Sequence, residues 1–144
     1  MTLREKLTMT AADDRQRIQD LMLAYAAAVD DNDMTAYRNC FADDVEIVGF
    51  GESTVHGADK WVASVKDQLE AFSGTQHLLS PPLATVTGDR ASARTDVQAL
   101  HFLKTPAGGT FTLWATYLTD FVQTQDTWTI ARHELVVRGT QQLP

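Results

Sequence analysis

One cysteine, four prolines and no apolar run approaching the roughly 20 residues a bilayer requires limit what these 144 residues can build. The lone cysteine, Cys40, excludes an internal disulfide framework and fits a reducing compartment. In the sequence NCFADD it stands beside Phe41, where a small buried hydrophobe is expected rather than a nucleophile. Basic residues are also few: 12 Lys and Arg face 19 Asp and Glu, for a net charge of −7, and nowhere do they cluster. Nucleic acid is therefore excluded as a partner, since its phosphates require a basic face, and a strongly anionic substrate is disfavoured. The opening MTLREKLTMT has no apolar segment of signal-peptide kind, so a cytoplasmic protein without a membrane partner is expected. Repeats, low-complexity tracts and linkers are missing too. The expectation is one domain over residues 1–144, with 1–9 as a flexible tail.

What is present is periodic. From Thr10 to Asp33, Ile18, Leu21, Met22, Tyr25 and Val29 recur at three-and-four spacing, which places them on one stripe of a helix. Thr10 with Asp13 reads as its N-terminal capping pair, and Asn32 stops it near Asp30 or Asp31. Met34, Tyr37 and Phe41 mark a short second helix that Asp33 can cap, and the ADD after Phe41 reads as a turn. Two short β-like runs around Val45–Phe50 and Val55 can pair as a hairpin. A third helix is expected over Ala58–Phe72, stopped by Ser73-Gly74. Four strands follow, over 76–87, 90–104, 110–123 and 127–138, with turns at Gly88-Asp89, Pro106–Gly109 and Gln125-Asp126. Helices first and strands afterwards give an α+β fold: three helices covering one face of a curved, mainly antiparallel sheet.

Alternation assigns faces. Between Ala91 and Leu103 the odd positions are apolar or small and end in His101, so this face points inward. In the next strand the row containing Tyr117 is taken as inward, leaving Trp114 and Leu118 outside. At 100° per residue Asp31 opposes the apolar stripe of the first helix, whereas Asp30 lies on its flank and faces the interior. A helix flank bearing one acid, laid on a concave sheet with small side chains, encloses an apolar pocket for a small molecule.

Each polar candidate has a plainer alternative. His77 follows a turn and is as readily a surface residue at a strand start. His101 and Tyr117 can be satisfied inward residues, and Tyr25 belongs to the apolar stripe. His56 and His133 are expected to be structural or exposed. Arg132 or Arg138 can anchor a substrate carboxylate, and the pattern does not tell which points inward. Two histidines and an aspartate can form a facial triad for iron, but no metal-binding spacing supports it, so no metal is expected. The outer Trp114 and Leu118 suggest a homo-oligomer, a dimer first, although a covering segment explains them equally well.

The ordered combination Ile18-x-x-Leu21-x-x-x-Tyr25, Ala28-Val29-Asp30, FADD at 41–44, Gly57 opening a helix and Thr75-Gln76-His77 opening a strand resembles a known family. It is similar to the SnoaL-like group of the nuclear transport factor 2-like superfamily, cone-shaped α+β barrels that include scytalone dehydratase, ketosteroid isomerase and dehydrochlorinase-type lyases. The resemblance runs from about Asp13 to Arg138. It implies a proton-transferring pair at Asp30 and His77, with His101 at the place of the dehydratase's second histidine. The dehydratase's inward serine and asparagine fall on Ala115 and Tyr117, which do not match. Tyr25 lies near the position of the isomerase's donor tyrosine.

In such a pair the carboxylate fixes the imidazole tautomer, leaving the other ring nitrogen to move a proton from carbon. A developing enolate oxygen then needs a donor, for which His101, Tyr117 and Tyr25 are ranked in that order. No cofactor is required. The leading expectation is a dehydratase-type lyase acting on an apolar, carbonyl-bearing or polycyclic small molecule. A double-bond isomerase and a non-catalytic binding or dimerisation module are the alternatives.

Overall fold

The computed structural model describes the backbone of residues 3–144 and the side chains from Ala12 onward. Its first helix, α1, runs Leu3–Asp30, so the expected start at Thr10 lies inside it. Leu3, Arg4, Glu5, Lys6 and Leu7 all favour helix, which explains the extension. Of the expected tail, Met1 and Thr2 lie outside the described residues. At the other end Asn32 adopts φ 53, and the Asp33 amide bonds back to the Ala28 carbonyl at 2.8 Å, closing the helix where anticipated. Asp33 caps α2 (Met34–Arg38) by accepting from the Ala36 amide.

β1 (Phe41–Val48) includes Ala42–Asp44, which the sequence had marked as a turn; a register irregularity between Phe41 and Glu46 absorbs them. β2 (Val55–His56) pairs antiparallel with β1 as the expected hairpin. α3 (Ala58–Leu69) ends earlier than expected, and Ser73-Gly74 belongs to β3 (Phe72–Leu79) rather than to a helix stop. The single strand expected over 76–87 is two, β3 and β4 (Leu83–Thr87), broken at Ser80-Pro81-Pro82. Proline has no amide to donate to a ladder. The break is tied down instead by Ser80, whose amide donates to the Asp96 carbonyl and whose hydroxyl accepts from the Asp96 amide, each at 2.9 Å.

β5 (Arg90–Leu103), β6 (Thr110–Thr124) and β7 (Thr127–Leu143) form the antiparallel meander that the sequence suggested. β1 joins β7 in parallel, which it did not suggest, giving the order β2-β1-β7-β6-β5-β3 with β4 also on β5. The sheet is thus mixed, mostly antiparallel and not closed. Gly49, just beyond β1, adopts φ +84 where a Cβ would collide with the Leu135 carbonyl oxygen, so only glycine lets this turn approach β7.

α1 lays Ile18, Met22, Tyr25 and Val29 on the inner face of the sheet, where all four are buried. The odd positions of β5 from Ala91 to Ala99, and Ala115, Tyr117, Thr119 and Phe121 of β6, face them, as alternation required. At one end, where β5 carries only the small side chain of Ala99, the space between sheet and helices is left unfilled. Among the described residues no helix is long and apolar enough to cross a membrane.

Candidate active site

The unfilled space is a cavity of about 600 Å³ lined mainly by apolar and aromatic side chains from α1, α2, α3, β3, β5, β6 and β7. Its polar groups form two sets. The first begins just behind the wall with Asp30, the last residue of α1, which reaches the cavity through His77 rather than lining it. A carboxylate at the negative end of a helix is unfavourable unless donors hold it. Here three do: Thr75 Oγ1 donates to Oδ1 at 2.9 Å, the His77 amide to Oδ2 at 2.8 Å, and His77 Nδ1 meets Oδ1 at 2.7 Å. Burial on its own would raise the Asp30 pKa, but the bonds from the His77 ring and amide and from Thr75 outweigh it and hold the group below its ordinary value. Asp30 is therefore a carboxylate at neutral pH, and the 2.7 Å contact places the imidazole proton on Nδ1. Among the described residues His77 Nε2 has no hydrogen-bond partner, which leaves it available as a base on a ring that lines the cavity.

His101 lies across from Thr75 in the β3–β5 register, and its ring centroid is 6.0 Å from that of His77. Its Nδ1 is 3.0 Å from the Phe111 carbonyl oxygen, which only accepts, so Nδ1 carries the proton. Burial lowers the His101 pKa, with the neighbouring His77 adding to the effect, and keeps the ring neutral near pH 7. Neutral His101 thus offers the cavity a lone pair at Nε2. In this tautomer Nε2 can accept a hydrogen bond and has none to give, which sets it apart from the oxyanion donor expected at this position.

The second set is three tyrosines, Tyr25, Tyr37 and Tyr117, all lining the cavity. Tyr25 stacks edge-on against Tyr117 with centroids 5.7 Å apart and tilts against Tyr37 at 5.2 Å. The Tyr37 oxygen accepts from Trp61 Nε1 at 3.1 Å. Burial pushes the Tyr117 hydroxyl up to about 12 and raises those of Tyr25 and Tyr37 as well, so all three stay protonated hydrogen-bond donors. Tyr25 and Tyr117 were anticipated; Tyr37 was read only as part of a helical stripe, and its reach into the cavity depends on the angle between α2 and α3, which has no local signal.

Arg132 does not belong to the site. Its side chain lies on the outer face of β7, 3.0 Å from Glu134 Oε1, because His133 between them points inward and is fully buried. Arg138 is outside as well, donating to Thr116 Oγ1 at 3.2 Å in a groove of the outer face. His133 was expected to be structural or exposed; it is buried behind Tyr25 and Tyr117. The triplet Arg132-His133-Glu134 held the signal: two charges flanking a histidine on a strand share the outer face and send the histidine in. Cys40 is buried, and burial raises its thiol to about 11. Among the described residues no group of three His, Cys, Asp or Glu side chains stands close enough to hold a metal ion.

A family model described as a SnoaL-like domain matches residues 10–134. No curated protein matches the sequence. Among solved structures, a candidate scytalone dehydratase from Novosphingobium aromaticivorans is similar at 23% identity, with a TM-score of 0.86 over 93% of this chain and 90% of that one. A hexachlorocyclohexane dehydrochlorinase, LinA type 2, aligns at 18% identity and TM-score 0.82 over 92% and 90% of the two chains. A candidate aromatic ring hydroxylase, also from Novosphingobium aromaticivorans, aligns at 27% identity and TM-score 0.83 over 92% and 94%.

Proposed function

The chain belongs to the SnoaL-like domain family of the nuclear transport factor 2-like superfamily, and from that premise we propose that it is a cofactor-independent lyase, in specific form a dehydratase, acting on an apolar carbonyl-bearing small molecule. The observation that carries this reading is the 2.7 Å contact between Asp30 Oδ1 and His77 Nδ1, on the wall of a largely apolar cavity. A carboxylate so placed holds the imidazole in one tautomer and stabilises its cation once it takes a proton.

The step balances on groups of this chain. His77 Nε2 removes the proton from the carbon beside the carbonyl, and the electron pair moves toward the carbonyl oxygen. Tyrosine hydroxyls of the second set donate to that oxygen while its charge grows. The pair then returns to form the carbon–carbon double bond, the β-hydroxyl leaves, and the proton held on His77 goes with it as water. His101, neutral and accepting at Nε2, suits a substrate hydroxyl and fixes which face of the molecule meets His77. The dehydratase and dehydrochlorinase descriptions of the structural neighbours support an elimination.

The test is a mass-resolved screen of wild type and His77→Ala against hydroxy-carbonyl compounds and polyketide-like or steroid-like enones. Loss of water by wild type and not by the variant is the expected result. Rearranged product at constant mass would replace the lyase by an isomerase using the same pair. Ligand binding that stabilises both proteins equally, without turnover, would overturn the enzymatic reading in favour of a binding module.

A further inference from the structure

Behind the tyrosines lies a buried pair that the elimination does not use. His133 is fully sealed and lines no part of the cavity. Its Nδ1 is 2.9 Å from the Thr119 hydroxyl oxygen and its Nε2 is 3.1 Å from the Tyr25 hydroxyl oxygen. Burial takes its pKa down to about 3, so the ring is neutral and one nitrogen donates while the other accepts.

Which nitrogen does which follows from Thr119. This hydroxyl is buried, and among the described residues its side chain has no hydrogen-bond partner other than His133 Nδ1. If Nδ1 carried the proton, the threonine hydroxyl hydrogen would be buried with nothing to receive it, a state that folded proteins avoid. The arrangement that leaves no orphan has Thr119 donating to Nδ1 and Nε2–H donating to the Tyr25 oxygen. Tyr25 then spends an acceptor site on the wall and turns its own proton away from it, toward the cavity side, where Tyr37 and Tyr117 stand beside it. Tyr37 is held the same way by the indole N–H of Trp61. Tyr25 and Tyr37 thus each receive a hydrogen bond from behind and have a hydrogen to give forward, an alignment in which one bond strengthens the next.

We propose that Thr119 and His133 are positioning residues that fix the direction of the Tyr25 hydroxyl, so that the part of the cavity it lines is a subsite for an electron-rich oxygen, carbonyl, enolate or phenolate, and rejects a donor group there. The inference deepens the lyase reading and rests on it for its role in turnover, but its geometry stands on bonds that Asp30 and His77 do not make. It also sets three histidines in opposite tautomers: Nδ1–H at His77 and His101, which line the cavity, and Nε2–H at His133 behind it.

Long-range nitrogen–proton correlation spectra of the wild-type protein read these tautomers directly. A protonated Nε2 and bare Nδ1 at His133 are expected, with the reverse at the other two; a protonated Nδ1 at His133 overturns the proposal. The role is read with 4-nitrophenol, whose anion absorbs apart from its neutral form, in wild type, His133→Gln and His133→Leu. Glutamine can accept from Thr119 and donate to Tyr25, so it should leave the ionisation of the bound phenol near the wild-type value. Leucine should raise the apparent pKa of the bound phenol by about one unit, a tenfold loss of preference for the anion. Equal ionisation in all three proteins, or no phenolate bound by wild type, overturns the subsite. Neither measurement uses turnover, so a failed elimination assay leaves them intact.

Discussion

Replacing Asp30 with asparagine keeps the shape of the side chain and removes its charge, which separates the carboxylate's contribution from that of packing. The wild-type group receives hydrogen bonds from the Thr75 hydroxyl, the His77 amide and the His77 ring at 2.7 to 2.9 Å. Bonds to a charged acceptor contribute about 1.5–3 kcal/mol each when sealed from water. This side chain is 20% exposed and the three bonds share two oxygens, so their sum overstates the effect. In the variant the new NH2 also faces a donor, either the His77 amide or the Thr75 hydroxyl. A net loss of about 2–3 kcal/mol near pH 7 is expected, which at a urea dependence of about 2 kcal/mol per molar moves the midpoint down by roughly 1 M. The difference must also depend on pH with a fixed sign. Because the folded-state pKa of Asp30 is depressed, its contribution is fully present above the unfolded value of about 3.9 and is lost as pH falls through the folded one. Urea titrations of both proteins between pH 6 and pH 3 should therefore converge as the acid end is approached. A gap below about 0.5 kcal/mol at neutral pH, or one that widens toward pH 3, would refute the geometry given to this carboxylate.

Further outcomes can be checked with little more equipment. Gly49→Ala puts a Cβ against the Leu135 carbonyl at a positive φ, and thermal melting should report a loss of about 1–3 kcal/mol; an unchanged melt contradicts the close approach of this turn to β7. Cys40, buried with its thiol raised to about 11, should react slowly with a disulfide reagent at pH 8 and rapidly in denaturant, whereas full labelling of the native protein would contradict its burial. The outer-face row of Trp114 and Leu118 motivates a dimer through the sheet: sedimentation should give twice the chain mass for wild type and the chain mass for Leu118→Glu, and a monomeric wild type at micromolar concentration removes that assembly.

The elements that sequence reasoning located are those whose signal is local and regular. The stripe Ile18, Met22, Tyr25 and Val29, the alternation along β5 and β6, and the place of Asp30 on the helix flank all follow from a period that nothing interrupts. The failures occur where a period breaks or where contact is distant. In β7 the even residues Trp128 and Ile130 are buried, then a register shift opposite Asp120 and Phe121 changes the parity, and the odd residue His133 is buried instead. That bulge, with a second register shift opposite Trp114 and Ala115 beside Arg138, interrupts the alternation that would have assigned the two arginines a face. The prolines at 81 and 82 were visible, but an apolar run on either side disguised two strands as one. Parallel pairing of β1 with β7 joins segments at opposite ends of the chain, and no property of either segment alone encodes it. The meeting of Asp30 with His77 is equally remote in sequence; it was reached through the ordered family pattern rather than through either residue's surroundings.

Two of the three bonds to Asp30, those from the Thr75 hydroxyl and the His77 amide, would survive any change to the ring at position 77. They tie the end of α1 to β3, so the acid belongs to the joinery of the fold as much as to its chemistry. A descendant that abandoned the reaction would gain nothing by discarding it, while a change from histidine at position 77 would leave that joint in place. Drift should therefore strip such a lineage of its imidazole first and its aspartate last. Of the two, the histidine is the better witness to whether a relative still turns over a substrate.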